Sequence, residues 1–248
     1  MKVAFFVSTG RTGTDFFTKL FNKAVHNSWS RHEPKPAFRR RGYQLYSRAP
    51  TLWDKWYFMM PRKWHHQKRS EDWYVETNYH LFAAIPLIRS TFPDALVFHI
   101  VRDGRDVVTS WLNRWRYITN THLTPFHVPN DPAQAHWAKW NPLQKLAWYW
   151  KTVNRHAISQ QPDRIIPFEE LFYSNPALIF EILSHFKGIQ FHEDEVRQII
   201  GEKINHSKIK FFPKYPQWPE LWKRQFWEIA GDEMQRLGYG ANPYESKS

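Results

Sequence analysis

Apolar positions along the chain fall into short blocks whose period changes from one block to the next. Lys2–Val7 is almost continuously apolar, the pattern of a strand covered on both faces. Thr14–Val25 then puts Phe16, Phe17, Leu20, Phe21, Ala24 and Val25 on one broad face, which predicts a helix. Between Ser28 and Asp72 the periodicity fails: "RHEPKPAFRRRGYQLYSRAP" and "MMPRKWHHQKRSEDW" are basic, aromatic and interrupted by proline. That stretch reads as a long connection carrying short helices at most, a length usually tied to function in a compact domain.

Order resumes with "WYVETN", a short strand, and "HLFAAIPLIRSTF", a helix disturbed near Pro86. "ALVFHIV" predicts a second buried strand ending at Val101, which leads straight into "RDGRDVVTSWLNRW", a helix with Val107, Val108, Trp111 and Leu112 on its apolar side. A loose aromatic stretch covers about 118–141. "PLQKLAWYWKTVNRHAISQ" is helical, "RIIPF" a strand, "NPALIFEILSHF" a helix, and "PELWKRQFWEIAGDEMQRLGYG" a last helix stopped by Gly238. Strands alternating with helices, without repeats or a compositional break, predict one three-layer α/β domain over 1–248 around a central parallel sheet.

Composition narrows the partners. The chain has 248 residues and a formal charge of +12, which favours an anionic ligand or surface. Arg31 to Asp72 holds eleven Lys/Arg against four Asp/Glu, seven of the twelve net charges. There is no cysteine, so disulfides and thiolate metal sites are excluded, and no stretch approaches the roughly 18 apolar residues of a membrane span. The apolar start is too short for a secretory signal, and the expected location is cytoplasmic.

Candidate chemistry sits at two strand–helix junctions. In "VSTGRTGTDFF" the glycines permit a tight turn, and the helix that follows offers N–H groups and a positive dipole end to an anion. Arg11 adds a full charge, while Thr12 and Thr14 add hydroxyls. No Lys follows Gly13, and Asp15 stands where a magnesium-binding hydroxyl would be expected in a nucleoside triphosphatase. The loop therefore suits a phosphate-type group held without obligatory metal. In "HIVRDGRDVVTSW", Arg102 follows a buried strand and Ser110 lies about two turns along the helix. A guanidinium at the carboxyl end of a parallel strand points to the ligand crevice of such sheets. Taken alone, Arg102 is equally well read as a partner of Asp103 or Asp106.

Together, "GRTGT" and "VRDGRDVVTSW" resemble the 5′-phosphosulfate and 3′-phosphate loops of sulfotransferases that use 3′-phosphoadenosine 5′-phosphosulfate (PAPS). "YVETN" with "FPDALVFHIVRD", "RIIPFEELFYSNPALIFEILSHFKG" and "FWEIAGDEMQRLGYG" agree with that family, over most of 1–110 and 163–240. The resemblance implies a P-loop-like sulfotransferase fold, PAPS as donor, adenosine 3′,5′-bisphosphate (PAP) as product and no required metal. It implies that Arg11, Thr12, Gly13, Thr14 and the adjoining Asp15 surround the 5′-phosphosulfate, that Arg102 and Ser110 hold the 3′-phosphate, and that Phe16 lies either against adenine or in the core. Lys208 and Lys210 fall in a loop that closes over nucleotide in family members, or else in a plain basic loop. Arg11 replaces a lysine found in some branches and cannot itself donate a proton to the leaving group.

Sulfonation of a hydroxyl needs a base for the acceptor proton. Glu33 in "SRHEPKP", Glu76 in "YVETN" and His32 are the candidates, and each carboxylate is otherwise a partner for nearby basic groups. Variable segments near 34–72 and 113–140 would face the acceptor. Trp53, Trp56, Trp64 and Trp73, with Trp137 and Trp140, suit a carbohydrate or glycolipid, or a satellite core beneath the loops. The basic segment would suit an acidic saccharide or an anionic membrane. A nucleotide-dependent phosphotransferase would need the missing lysine and magnesium ligands. A non-enzymatic polyanion binder would not require two anion loops at strand ends.

Overall fold

Alternation along the first strand decides the layering. In the computed structural model, which describes residues 2–114, 128, 130–202, 211–240 and 243, Lys2–Ser8 forms β1. Val3, Phe5 and Val7 enter one core cluster, and Ala4 and Phe6 enter another. Each face of the sheet therefore has its own apolar layer, the result of a period-2 side-chain repeat. Phe6 stacks between Phe17 (4.2 Å) and Phe98 (4.8 Å), tying β1 to the helix that follows and to the neighbouring strand.

The other strands are β2 (Ser28–His32), β3 (Trp73–Thr77), β4 (Leu96–Val101) and β5 (Arg164–Pro167). Their order is β2-β3-β1-β4-β5, and every pairing is parallel. One side is covered by α1 (Thr14–Lys23), α7 (Leu178–Ser184) and α8 (Glu193–Gly201). The other is covered by α4 (Ile85–Thr91) and α6 (Pro142–Ser159). A third cluster joins α5 (Gly104–Leu112) and α6 to α9 (Glu220–Arg236), with Trp150 fully buried among them. The expected three-layer α/β domain with a parallel sheet is what forms.

Two departures from the sequence reading matter for the site. Ser28–His32 is a strand and not the start of an irregular connection. As an edge strand it buries only Ser30, so it carries no apolar run. The Asn22 side chain of α1 brackets it, donating to Ser30 O (2.9 Å) and accepting from Ser30 N (2.8 Å). The rest of the basic segment is helical: α2 (Arg39–Ser47), then a run from Leu52 through a π-turn at Lys55–Met59 into α3 (Met60–Gln67). Thr51 starts that run by a reciprocal cap with Asp54, each side chain receiving the other's backbone N–H.

Candidate active site

Parallel strands bring their carboxyl ends to one edge of the sheet, where ligands bind in such folds. Here that edge collects the loop after β1, His32 and Glu33 after β2, Asn78 after β3, Arg102 after β4 and Phe168 after β5. The β1 loop runs in left-handed conformation at Gly10 (φ 72°), Arg11 (φ 60°) and Gly13 (φ 72°). A Cβ on Gly10 would stand 2.7 Å from the Trp111 ring, so this turn requires glycine sterically as well as conformationally. α1 begins after Gly13 with no side-chain cap, leaving its first N–H groups for a ligand.

The second loop closes onto the first. Arg11 Nε donates to Ser110 Oγ at 2.9 Å, and Arg102 Nη1 donates to the Arg11 carbonyl at 2.9 Å. Arg102 lies over the Phe168 ring (4.3 Å) and reaches Asp106 at 3.3 Å. Asp103 is taken instead by Arg105 at 2.5 Å and caps α5 through the Arg105 N–H. Two donors in this cluster, Thr12 Oγ1 and Arg102 Nε, are buried with no hydrogen-bond partner among the described residues. Buried orphans of this kind are uncommon, and an anion supplies acceptors for both. The residues present thus fit a phosphorylated or sulfated group.

On the other side of α1, the end of β2 builds an acidic cluster around an imidazole. β2–β3 register sets His32 opposite Thr77. His32 Nδ1 lies 2.8 Å from Thr77 Oγ1, which also pairs with Thr18 Oγ1 at 2.7 Å. His32 Nε2 faces Asp15 at 3.0 Å and Glu33 at 3.4 Å. Glu33 is held in left-handed backbone conformation (φ 44°) by its N–H bond to Thr77 O at 3.0 Å, and its side chain is partly exposed. A strained non-glycine residue at a strand end is a feature of functional sites. Two residues on, Lys35 joins Pro36, Ala37, Trp53, Tyr57 and Phe58 in lining a cleft of about 610 Å³.

Four expected residues take other places or fall outside the described structure. Glu76 has no exposure, and its carboxylate is saturated by Arg62 (2.6 and 2.9 Å), Tyr74 Oη (2.8 Å) and Asn78 Nδ2 (3.0 Å). A base must reach an acceptor hydroxyl, so this environment assigns Glu76 to the core. Phe16 is likewise interior, edge-to-face with Phe17 (5.1 Å) and Phe172 (4.9 Å), so its ring is taken up by the core. Lys208 and Lys210 lie outside the described residues, as do the side chains of Arg39–Arg41 and part of the 113–140 segment.

Sequence reasoning passed over Phe168, which packs beneath Arg102 and so close to the β1 loop that a Cβ on Gly13 would stand 3.1 Å from its ring. It also passed over Glu169, which accepts from Asp103 N (2.9 Å) and Tyr239 Oη (2.9 Å) and whose carboxyl is pushed above the usual range by burial. This contact fixes the start of α5 and hence the approach of Arg102. Their signal was position alone, directly after the "RIIP" strand. Among the described residues no three His, Asp or Glu side chains are gathered in a way that would hold a metal.

A glycine loop after the central strand of an all-parallel five-stranded sheet defines a P-loop-like α/β fold. Residues 4–193 match the model of the sulfotransferase family, and the chain belongs to that family. No curated protein sequence matches it. Among solved structures it is similar to a sulfotransferase from Alicyclobacillus acidocaldarius, at 12% identity over 95% of this chain and 94% of that one (TM-score 0.53). It is similar also to the sulfotransferase domain from the curacin biosynthetic pathway, at 12% identity over 97% and 98% (TM-score 0.53). A third is mouse sulfotransferase SULT7A1 complexed with PAP, at 12% identity over 98% and 89% (TM-score 0.51). At such identity these likenesses speak for the fold.

Proposed function

We propose that this chain transfers a sulfuryl group from PAPS to a hydroxyl of a carbohydrate or glycolipid acceptor. The observation that carries the reading is the closure of the Arg102–Ser110 loop onto Arg11, beside the buried Thr12 hydroxyl and Arg102 Nε that lack acceptors among the described residues. The match to the sulfotransferase family and the PAP-complexed mouse neighbour support the choice of donor. The donor's 5′-phosphosulfate would sit on the Gly10–Thr14 loop and the N-terminus of α1, and its 3′-phosphate between Arg102 and Ser110.

In this reading the acceptor oxygen attacks sulfur in line with the bond to the 5′-phosphate. As the new S–O bond forms, the old one breaks, and its electron pair leaves on the phosphate of PAP. Arg11 and the helix N-terminus offset the charge that develops there. The acceptor proton passes to Glu33, two residues before Lys35 of the Lys35–Trp53–Tyr57 cleft and partly exposed. His32 acts through Glu33: with Thr77 on Nδ1, its Nε2–H is directed to Asp15 and Glu33.

The test is a transfer assay with sulfur-labelled PAPS and a panel of saccharides and glycolipids. Glu33→Gln keeps shape and removes basicity, so turnover should fall by about 10²–10⁴-fold with donor affinity nearly unchanged. Turnover by Glu33→Gln equal to wild type would remove Glu33 from the mechanism. Label transfer to no acceptor in the panel, with PAPS bound, would remove the acceptor class.

A further inference from the structure

The helical run from Leu52 to Trp64 displays an apolar face that no described residue covers. Leu52 is 78% exposed, Trp53 61%, Trp56 57%, Tyr57 51% and Trp64 46%. Among the described residues these are five of the nine large hydrophobic side chains that stand open, and the other four are scattered through 165–221. Their spacing is helical, so they share one side of the run. The rings also contact one another: Trp53 stacks on Tyr57 at 5.8 Å, and Trp56 meets Trp64 edge-on at 6.0 Å.

The display is rigid. The opposite side of the run is pinned to the sheet by Phe58 and Met59 in the core, by Asp54 paired with Arg48 (2.7 Å), and by Arg62, which reaches Glu76 on β3 and also donates to Phe58 O. Fixing Trp and Tyr rings and a leucine outward from so firm an anchor costs apolar exposure that monomeric surfaces usually avoid.

The charges beside the face select its partner. Between Leu52 and Ser70 the only acid is Asp54, which is buried, whereas Lys55, Lys63 and Lys68 lie on the same segment; Arg69 is paired with Glu71. Amphipathic Trp and Tyr rings bordered by basic residues match the headgroup layer of an anionic bilayer. No described helix is long and apolar enough to cross a membrane, so contact would be peripheral. We infer that the Leu52–Trp64 face docks the protein on anionic lipid surfaces, by inserting its aromatic side chains at headgroup depth. Trp53 and Tyr57 also line the cleft that begins at Lys35, so docking would open that cleft toward the membrane plane. This inference stands whether or not sulfuryl transfer is the chemistry.

Sedimentation with vesicles of phosphatidylcholine containing about 30% phosphatidylserine, against phosphatidylcholine alone, reads it directly. Wild type should partition at least about tenfold more strongly to the anionic vesicles, since each Lys or Arg near such a surface adds appreciable attraction. Leu52→Ser/Trp56→Ser/Trp64→Ser should lose about tenfold or more of that binding, with circular dichroism unchanged. Lys63→Glu/Lys68→Glu, which alters no apolar side chain, should lose the preference for anionic lipid. Wild type remaining in the supernatant at low salt would overturn the inference, as would binding by both variants equal to that of wild type. A dimer that the triple variant reduces to monomer, with no vesicle binding by either, would assign the face to a second copy instead.

Discussion

Arg11 donates its Nε–H to Ser110 Oγ at 2.9 Å across 99 residues of sequence. Neither residue is placed by its own element alone: Arg11 needs the left-handed turn after β1, and Ser110 needs α5 to leave β4 at the angle set by Asp103 and Glu169. The contact is therefore a measure of how well the two loops are assembled. Ser110→Ala should weaken PAP binding by about 1.5–3 kcal/mol, the range for a hydrogen bond to a charged group. Titration calorimetry checks this, and a loss of folding stability with unchanged affinity would reduce Ser110 to a support for Arg11.

The buried Arg62–Glu76 pair yields a prediction about stability. Glu76→Gln strands a guanidinium in the core and should cost about 3–5 kcal/mol in urea unfolding, whereas Arg62→Leu/Glu76→Leu should recover part of that loss. The folded fraction of Glu76→Gln should bind PAP normally and keep its turnover. A stable Glu76→Gln protein with abolished turnover would return Glu76 to the list of bases.

Acid sensitivity follows from two sheltered imidazoles. Burial holds His99 down to about 4 and does the same to His156, from an ordinary value of 6.5. His99 is fully buried against Asn154 (2.9 Å), and His156 packs on Tyr46 at 4.3 Å. Because the unfolded chain takes up these protons first, stability is complete above about 6.5 and falls as the pH drops towards 4. For His99 the slope reaches about 1.4 kcal/mol per pH unit, and His156, less enclosed, adds to it in the same direction. His156→Phe should flatten the curve of denaturation midpoint against pH in that window. An unchanged slope would mean that other groups carry the acid response.

What could be read from sequence follows burial. β1 and β4 are covered on both faces and carry near-continuous apolar runs, interrupted in β4 by the buried His99; β2 is an edge strand with one buried side chain, and its five residues resemble a loop. α8 is hard to see for the same reason, since only Val196 and Ile199 are buried in it. The anion loops are visible because glycine and arginine at strand ends have few other uses. Glu33 is visible as a candidate, but the placing of Thr77 against it and of Thr18 against Thr77 follows from strand register and helix packing, which no local pattern encodes. Arg62 is one of eleven basic residues in its segment, and nothing local marks it as the one that turns inward to Glu76.

The central claim is that Arg11, Arg102 and Ser110 form a site for a 3′-phosphorylated adenine nucleotide, and ligand-dependent stabilisation tests it most directly. PAP at about a hundred times its dissociation constant should raise stability by roughly 2.7 kcal/mol, and ATP with magnesium by much less. Arg102→Ala should remove most of the advantage of PAP over adenosine 5′-monophosphate, which lacks only the 3′-phosphate. Equal stabilisation by PAP and magnesium ATP, persisting in Arg102→Ala, would contradict the account.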